Sequence, residues 1–148
     1  MIAIDTNVLL RYLLQDDTSQ ASRATALILG QQPVLITDVV LAETIWVLTG
    51  KKYQASKQQI IDTLHALFAE PNICFEDPAV VWCSLKDYAK SITVKVNGKN
   101  KDIDFQDALI LNKSKQHAEQ TQQQFHGIYT FDRAAQRLPG VLNPKSNL

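Results

Sequence analysis

Apolar residues in this chain come in short runs, separated by stretches in which they recur at helical spacing. Five runs have the length of buried strands, at residues 2–4, 34–36, 73–75, 127–131 and 141–142. Strands that alternate with helices along a chain are typical of a parallel sheet whose two faces are covered by helices. We therefore predict an α/β protein of this kind.

The stretches between these runs predict helices, and several carry start signals. Ser56 is a favoured cap, and Asp77-Pro78 places proline directly after a cap residue, the order preferred at helix starts. The predicted helices cover 8–14, 18–30, 37–50, the stretches from 56 and from 77, and 104–118, and Asp132 opens a short helical turn.

Residues 91–102 interrupt the alternation of strands and helices. Polar and apolar residues alternate along 93–96, and Asn97-Gly98 is a strong two-residue hairpin signal. The segment is basic because it contains Lys95, Lys99 and Lys101. A solvated loop is the usual meaning of such a run, and here we predict a hairpin-like excursion. The glutamine-rich stretch 120–124 predicts a polar linker, to which we assign no function.

The composition is that of one globular domain covering residues 1–148. Of the residues 45% are hydrophobic, and 15 basic side chains balance 15 acidic ones, so the formal net charge is zero. Binding to nucleic acid therefore needs a local patch or a bound cation. The chain starts directly with a predicted strand and contains no apolar run of membrane length, so we expect a cytoplasmic protein without membrane association. Cys74 and Cys83 lie in apolar settings without metal-ligand spacing, which predicts buried thiols.

Two acids directly follow predicted strands. Asp5 comes after the run 2–4, and Asp132 comes after the run 127–131, beside the hydroxyl of Thr130. Ligands of parallel α/β sheets bind just beyond the carboxyl ends of the strands, so both acids are candidate site residues. The alternative is that each acid merely caps the helix that follows it.

Glu43 lies in a predicted helix that is apolar on nearly every face. Its neighbours at helical spacing are Val39, Trp46 and Val47, which predicts that the carboxylate lies among buried residues. A buried carboxylate needs a partner, because burying an unpaired charge costs several kcal/mol. That partner is either a functional ligand or a distant lysine or arginine.

Asp104 and Asp107 begin the last long helix. Residues three apart share a helix face, so both carboxylates can point the same way. Asp104 has a structural explanation as a helix cap in a capping box. Asp107 precedes the apolar run 108–111 and has less structural reason to be acidic.

Carboxylates that meet at one sheet edge repel each other, by roughly 4 kcal/mol for two unit charges ~4 Å apart at an effective dielectric near 20. A divalent cation makes such a cluster tolerable, and a ligand set made only of oxygen suits Mg²⁺ or Mn²⁺ rather than zinc. Such sites commonly serve phosphoryl chemistry, in which the metal activates a water. No histidine stands beside a convincing nucleophile, and no glycine-rich phosphate loop is present.

These motifs resemble those of the PIN-domain nucleases and, among them, the VapC-type toxins of bacterial type II toxin–antitoxin systems. The resemblance rests on Ile4-Asp5-Thr6-Asn7-Val8-Leu9-Leu10-Arg11, the helix around Glu43, Asp104-Phe105-Gln106-Asp107-Ala108-Leu109-Ile110 and Thr130-Phe131-Asp132. It implies a three-layer α/β/α sandwich with a central, mostly parallel sheet. It also implies a Mg²⁺- or Mn²⁺-dependent endoribonuclease that forms homodimers and is blocked by a cognate VapB-type antitoxin.

The resemblance also assigns roles to individual residues. Asp5, Glu43 and Asp107 match the metal-binding acids, Asp132 matches a more variable fourth acid, and Asp104 matches an acid often found beside the third. Thr6 and Thr130 match hydroxyl positions, and Asn7 matches a polar position that helps to order the site. The basic excursion at 91–102 departs from the family pattern, and we hypothesise that Lys95, Lys99 and Lys101 contact RNA phosphates.

Two other functions stay open on the sequence. In a phosphoaspartate-type phosphatase or receiver domain, Asp5 would be phosphorylated, but phosphatases of the haloacid-dehalogenase kind need a second aspartate where this chain has Asn7. A PIN-fold binding module would keep the fold without catalysis. The sequence does not distinguish transfer, ribosomal and messenger RNA as substrates.

Overall fold

The structure, a computed structural model, describes residues 1–145. The chain divides into two compact units, the first being Met1–Pro78 and the second starting at Ala79.

The first unit is built on a three-stranded parallel sheet. Its elements in chain order are β1 (Ile2–Ala3), α1 (Thr6–Leu14), α2 (Thr18–Ile28), β2 (Val34–Ile36), α3 (Asp38–Thr49), α4 (Lys57–Ala69) and β3 (Ile73–Phe75). The strand order is β1-β2-β3, with Val34 of β2 opposite both Ile2 and Ile73. The central strand is therefore the most buried, and Val34 and Ile36 are fully inaccessible to solvent.

Side-chain caps define where the helices of the first unit begin. Asp5, Asp17, Thr37 and Ser56 each accept a hydrogen bond from a backbone N–H in the first turn of α1, α2, α3 and α4, respectively. These bonds satisfy amide groups that have no partner within the helix. The positions of the helix starts are thus encoded locally.

The second unit contains a hairpin, a long helix and a short parallel strand pair. Its elements are α5 (Pro78–Lys90, whose first residue ends the first unit), β4 (Val94–Val96), β5 (Lys99–Lys101), α6 (Phe105–Gln120), β6 (Ile128–Tyr129), a 3-10 turn (Ala135–Arg137) and β7 (Val141–Leu142). β4 and β5 are antiparallel, and Asn97 and Gly98 between them both have positive φ, as a tight hairpin turn requires. β6 and β7 pair in parallel with each other.

The α/β prediction is confirmed, with helices and a parallel sheet in the predicted order. The hairpin at 91–102 is also confirmed, as are strands at all five predicted positions. The run 127–131 forms only the two-residue strand Ile128–Tyr129, which pairs with β7 in a sheet separate from β1-β2-β3. That 1–148 form one domain stays a prediction.

Two burial predictions are wrong. Glu43 is exposed, and so are Val39 and Trp46, whose exposed fractions are 74% and 70%. The buried face of α3 consists of Leu41, Thr44, Ile45 and Leu48, and Glu43 lies off that face even though its helical neighbours are apolar.

The cysteines are the second case. Cys83 is exposed and Cys74 is only half-buried, and both are free thiols. The apolar neighbours of Cys83 do not bury it, because Val80, Val81 and Ser84 supply the inward face of α5.

No helix within residues 1–145 is long and apolar enough to cross a membrane.

Candidate active-site acids

Asp5 stands between the end of β1 and the start of α1. Its Oδ1 accepts a hydrogen bond of 2.9 Å from the backbone N–H of Val8 and so caps α1. The residue is exposed, and within residues 1–145 its other carboxylate oxygen has no hydrogen-bond partner. Asp5 is therefore both a helix cap and an acid with a free ligand atom.

Glu43 is held at the same end of α1 by a side-chain hydrogen bond. The hydroxyl Oγ1 of Thr6 donates to Oε2 of Glu43 over 2.6 Å, joining residues that are 37 positions apart. The bond ties a carboxylate of α3 to Thr6, the residue that directly follows Asp5 in the chain. Glu43 makes no salt bridge to any residue that the structure describes, so its protein partner is a hydroxyl rather than a cation.

Asn7 occupies the second position of α1 and is exposed. It lines a cleft in the first unit together with residues of α2. Its side chain makes no hydrogen bond to another described residue, so the ordering role implied by the family resemblance stays a prediction.

Asp104 and Asp107 lie at the start of α6 in the second unit. The backbone N–H of Asp104 donates to Oδ2 of Asp107 over 3.1 Å, which ties the two residues together as the sequence predicts for a capping box. Loss of hydration raises the pKa of Asp104, and the nearby charge of Asp132 adds to this rise. Loss of hydration also raises the pKa of Asp107, where Asp104 and Asp132 add repulsion. These carboxylates are crowded by other negative charges, and a cation would relieve that repulsion.

Asp132 follows β6 and uses both of its carboxylate oxygens. Oδ1 accepts hydrogen bonds from the backbone N–H groups of Ala134 (2.8 Å) and Ala135 (3.2 Å), and Oδ2 accepts one from Lys101 Nζ at 2.7 Å. Burial raises the pKa of Asp132, but the bonds from Lys101 and the two amides outweigh it, so the net shift is downward. Thr130 orients this turn, because its Oγ1 accepts the backbone N–H of Asp132 over 3.0 Å.

Lys101 acts as the internal counter-charge of the second unit. It is the last residue of β5, and its bond to Asp132 raises its pKa, with further increments from Asp104 and Asp107. Sequence reasoning assigned Lys101 to RNA contacts and missed this pairing. The only signal for it was the position of a basic segment directly before Asp104. Lys95 and Lys99 are exposed and remain candidates for contacts with RNA.

The donor atoms in each unit have the chemistry that Mg²⁺ and Mn²⁺ prefer. The first unit offers Asp5, Thr6 and Glu43, the second offers Asp104, Asp107 and Asp132, and all of their ligand atoms are oxygens. Across residues 1–145, no three or more histidine, cysteine, aspartate or glutamate side chains form a group that could hold a metal ion. The convergence of the two sets of acids on one cation stays a prediction.

The model of the family described as "PIN domain" matches residues 2–141, which include every acid discussed above. No curated protein matches the chain. PIN domains are in general metal-dependent nucleases and typically bind divalent cations, so the match supports a hydrolase of the nuclease type. Because the family model covers nearly the whole sequence, this chain belongs to the PIN domain family.

Proposed function

We propose that this PIN domain is a Mg²⁺- or Mn²⁺-dependent endoribonuclease that acts as the toxin of a toxin–antitoxin pair. The observation that carries the proposal is the hydrogen bond between Thr6 and Glu43, which holds a second acid beside Asp5. A side-chain bond over 37 positions is more than helix capping requires. It is what a ligand set assembled from two elements needs.

The proposal gives each site residue a role. Asp5, Glu43 and Asp107 would hold the cation, and Asp104 and Asp132 would add negative charge to the site. When bound, a divalent cation lowers the pKa of a water and neutralises charge on a phosphate. Thr6 orients Glu43, and Thr130 orients Asp132, so that the carboxylates are preorganised before substrate arrives.

The toxin role and the choice of RNA as substrate are supported by the sequence motifs. The resemblance to VapC-type toxins extends through the four motifs that contain Asp5, Glu43, Asp107 and Asp132. We propose accordingly that the protein forms homodimers in the cytoplasm and that a VapB-type antitoxin covers its acids.

Cleavage of bacterial total RNA by the partner-free protein tests this function. The reactions contain Mg²⁺, Mn²⁺ or a chelator, and they compare the wild type with Asp5→Asn and Asp107→Asn. We expect discrete cuts that leave 5′-phosphate and 3′-hydroxyl ends, and a loss of at least about 100-fold in both variants, as for removal of a group that stabilises transition-state charge.

Asp62→Asn is the matched control, since Asp62 is an exposed acid of α4 whose recorded partner is the side chain of Gln58. It should cleave like the wild type. Cuts that persist in chelator, or in Asp5→Asn, would contradict metal-dependent cleavage at these acids. Binding of Mn²⁺ without cleavage of any RNA would instead indicate a PIN-fold binding module.

A further inference from the structure

The first unit contains a cleft between α1 and α2 that the proposed catalytic acids do not explain. Its volume is about 390 Å³, within the range of pockets that bind small molecules. It is lined by Asn7, Val8, Arg11, Gln20, Arg23, Ala24 and Leu27. The lining includes two arginines and no acidic residue.

The polar side chains of this cleft have unused hydrogen-bonding capacity. Arg23 is exposed, and its guanidinium has no partner among residues 1–145. The amide side chains of Asn7 and Gln20 likewise make no hydrogen bond to a described residue. These donors are therefore available to a ligand with acceptor oxygens.

Arg11 adds a second, more rigid cation. Its Nη1 donates to Asp16 Oδ1 over 2.6 Å, which fixes the side chain, while its Nε is buried without a partner within the described chain. An unpaired buried N–H is unfavourable, because it has lost its hydrogen bonds to water.

The rest of the lining is apolar. Val8, Ala24 and Leu27 make up this part of the lining, and Leu27 is 42% exposed although it is a large aliphatic residue. A ligand that fits both parts of the lining has negatively charged oxygens and an apolar surface. A nucleotide has both, namely a phosphate and a base.

We propose that this cleft is a subsite for one nucleotide of the RNA, with the phosphate on Arg23 and Arg11 and the base against Val8 and Leu27. The proposal rests on the endoribonuclease function proposed above and identifies where in the first unit the strand lies. An RNA strand is favoured over an acidic peptide because Asn7 in the lining is only two positions from Asp5. A strand whose scissile phosphate lies at Asp5 would therefore reach the cleft with its adjoining nucleotide.

The test measures the dissociation constant of a short single-stranded RNA in an Asp107→Asn background, which keeps the RNA intact. Arg23→Gln should weaken binding about fivefold at ~0.1 M salt and reduce the slope of log affinity against log salt by about 0.7, the value for one lost phosphate contact on a single strand. Leu27→Ala should also weaken binding but leave the slope unchanged, because it removes apolar contact only.

Lys51→Gln is the matched control, since Lys51 is an exposed cation of the same unit that does not line the cleft. It should leave the dissociation constant within about twofold of the parent protein, as expected of a cation without a phosphate contact. Equal effects of Arg23→Gln and Lys51→Gln would overturn the proposal. So would an Arg23→Gln variant that binds RNA normally but loses binding of an acidic peptide, because the cleft would then serve a protein partner.

The outcomes for the subsite and for the nuclease are separable. Chelator-sensitive cleavage by the wild type together with unaltered RNA binding by Arg23→Gln would leave the nuclease intact and refute the subsite. Failure of the wild type to cleave any RNA, together with failure of the Asp107→Asn protein to bind it, would refute both.

Discussion

The carboxylates of this chain differ in what their second oxygen contacts. Asp5 and Asp132 both cap a turn of backbone with Oδ1, so the structural explanation of each holds. The second oxygen of Asp5 has no partner among the described residues, whereas that of Asp132 binds Lys101. Capping and ligand binding are therefore compatible at Asp5, but at Asp132 a cation must displace or join a lysine.

The raised pKa of Asp107 predicts that its charge destabilises the metal-free fold. A carboxyl whose pKa is raised on folding favours the folded state below its ordinary pKa of 3.8 and loses that contribution as pH rises through the raised value. Asp107→Asn should therefore stabilise the protein at pH 7. The gain should be at least about 0.2–0.5 kcal/mol, the typical cost of a like-charge pair on a helix. Urea unfolding in chelator, at pH 7 and near pH 3, measures this difference, which should shrink at the lower pH.

Asp132→Asn is the control, because it should change the free energy of unfolding in the opposite direction. The pKa of Asp132 is lowered, so its ionised form stabilises the fold at neutral pH, and that contribution is lost as pH falls through the lowered value. The substitution should destabilise by up to about 1 kcal/mol, because the ion pair with Lys101 is partly exposed. Equal changes in both variants would show that the charges do not act as described.

Lys101 binds the carboxylate of Asp132, which a metal ion would also use, so the ammonium group and the metal ion should compete for it. Lys101→Gln should bind Mn²⁺ about fivefold more tightly than the wild type, which corresponds to removal of about 1 kcal/mol of competing charge. Mn²⁺ titration followed by electron paramagnetic resonance measures the affinity without requiring activity.

Lys99→Gln serves as the control in this titration, since Lys99 lies in the same strand and has no salt bridge to a described residue. It should leave the Mn²⁺ affinity close to that of the wild type. Weaker Mn²⁺ binding by Lys101→Gln would mean that the lysine organises Asp132 for the metal instead of competing with it.

At the scale of the elements, α3 explains why the expected setting of Glu43 was wrong. Apolar residues occupy nearly every face of this helix, so its pattern does not identify which face is buried. The packing selects Leu41, Ile45 and Leu48 and leaves Val39 and Trp46 in solvent. The side chain of Glu43 consequently reaches Thr6 at an exposed position and needs no buried counter-ion.

The strand pair β6–β7 depends on Gly127 more than the hairpin depends on Gly98. Both glycines have positive φ, but a Cβ at Gly127 would lie 2.9 Å from the carbonyl oxygen of Gly140, whereas one at Gly98 would meet nothing within 4 Å. Gly98→Ala should cost about 1–2 kcal/mol for the left-handed backbone alone. Gly127→Ala should cost clearly more, because backbone atoms of β6–β7 must also move.

Urea unfolding measures both costs, and RNA cleavage adds a functional readout. Gly127→Ala should reduce cleavage, since Thr130 and Asp132 directly follow β6. Gly98→Ala should leave cleavage within about threefold of the wild type if its backbone strain of about 1–2 kcal/mol stays within the turn. A larger loss of stability in Gly98→Ala than in Gly127→Ala would contradict the steric argument.

For the whole molecule, the zero net charge means that RNA binding must depend on local patches. Lys95 and Lys99 are candidate cations for such binding on the hairpin, and both are exposed without a salt bridge to a described residue. Lys95→Gln combined with Lys99→Gln should weaken RNA binding and lower its salt slope by about 1.4, at ~0.7 for each lost contact. An unchanged slope would remove the hairpin from the RNA-binding surface.

The sequence alone predicted most elements of this fold, because the signals for them are local. Apolar periodicity located the strands and helices, Asn97-Gly98 located the hairpin turn, and Asp5 was correctly considered as a cap. The cap and the hairpin turn depend on hydrogen bonds between residues that are close in the chain, and the strands and helices are marked by the local pattern of apolar residues. The ordered motifs were also sufficient to indicate the PIN family, which the family match confirms.

Only the tertiary structure decided which side chains meet. Thr6 binds Glu43 across 37 positions, and Lys101 binds Asp132 across 31. Neither pairing has a local signal, because both depend on how separate elements pack. The same packing leaves Arg23 without a partner beside the half-buried Arg11, and thereby creates a basic cleft in a molecule whose net charge is zero.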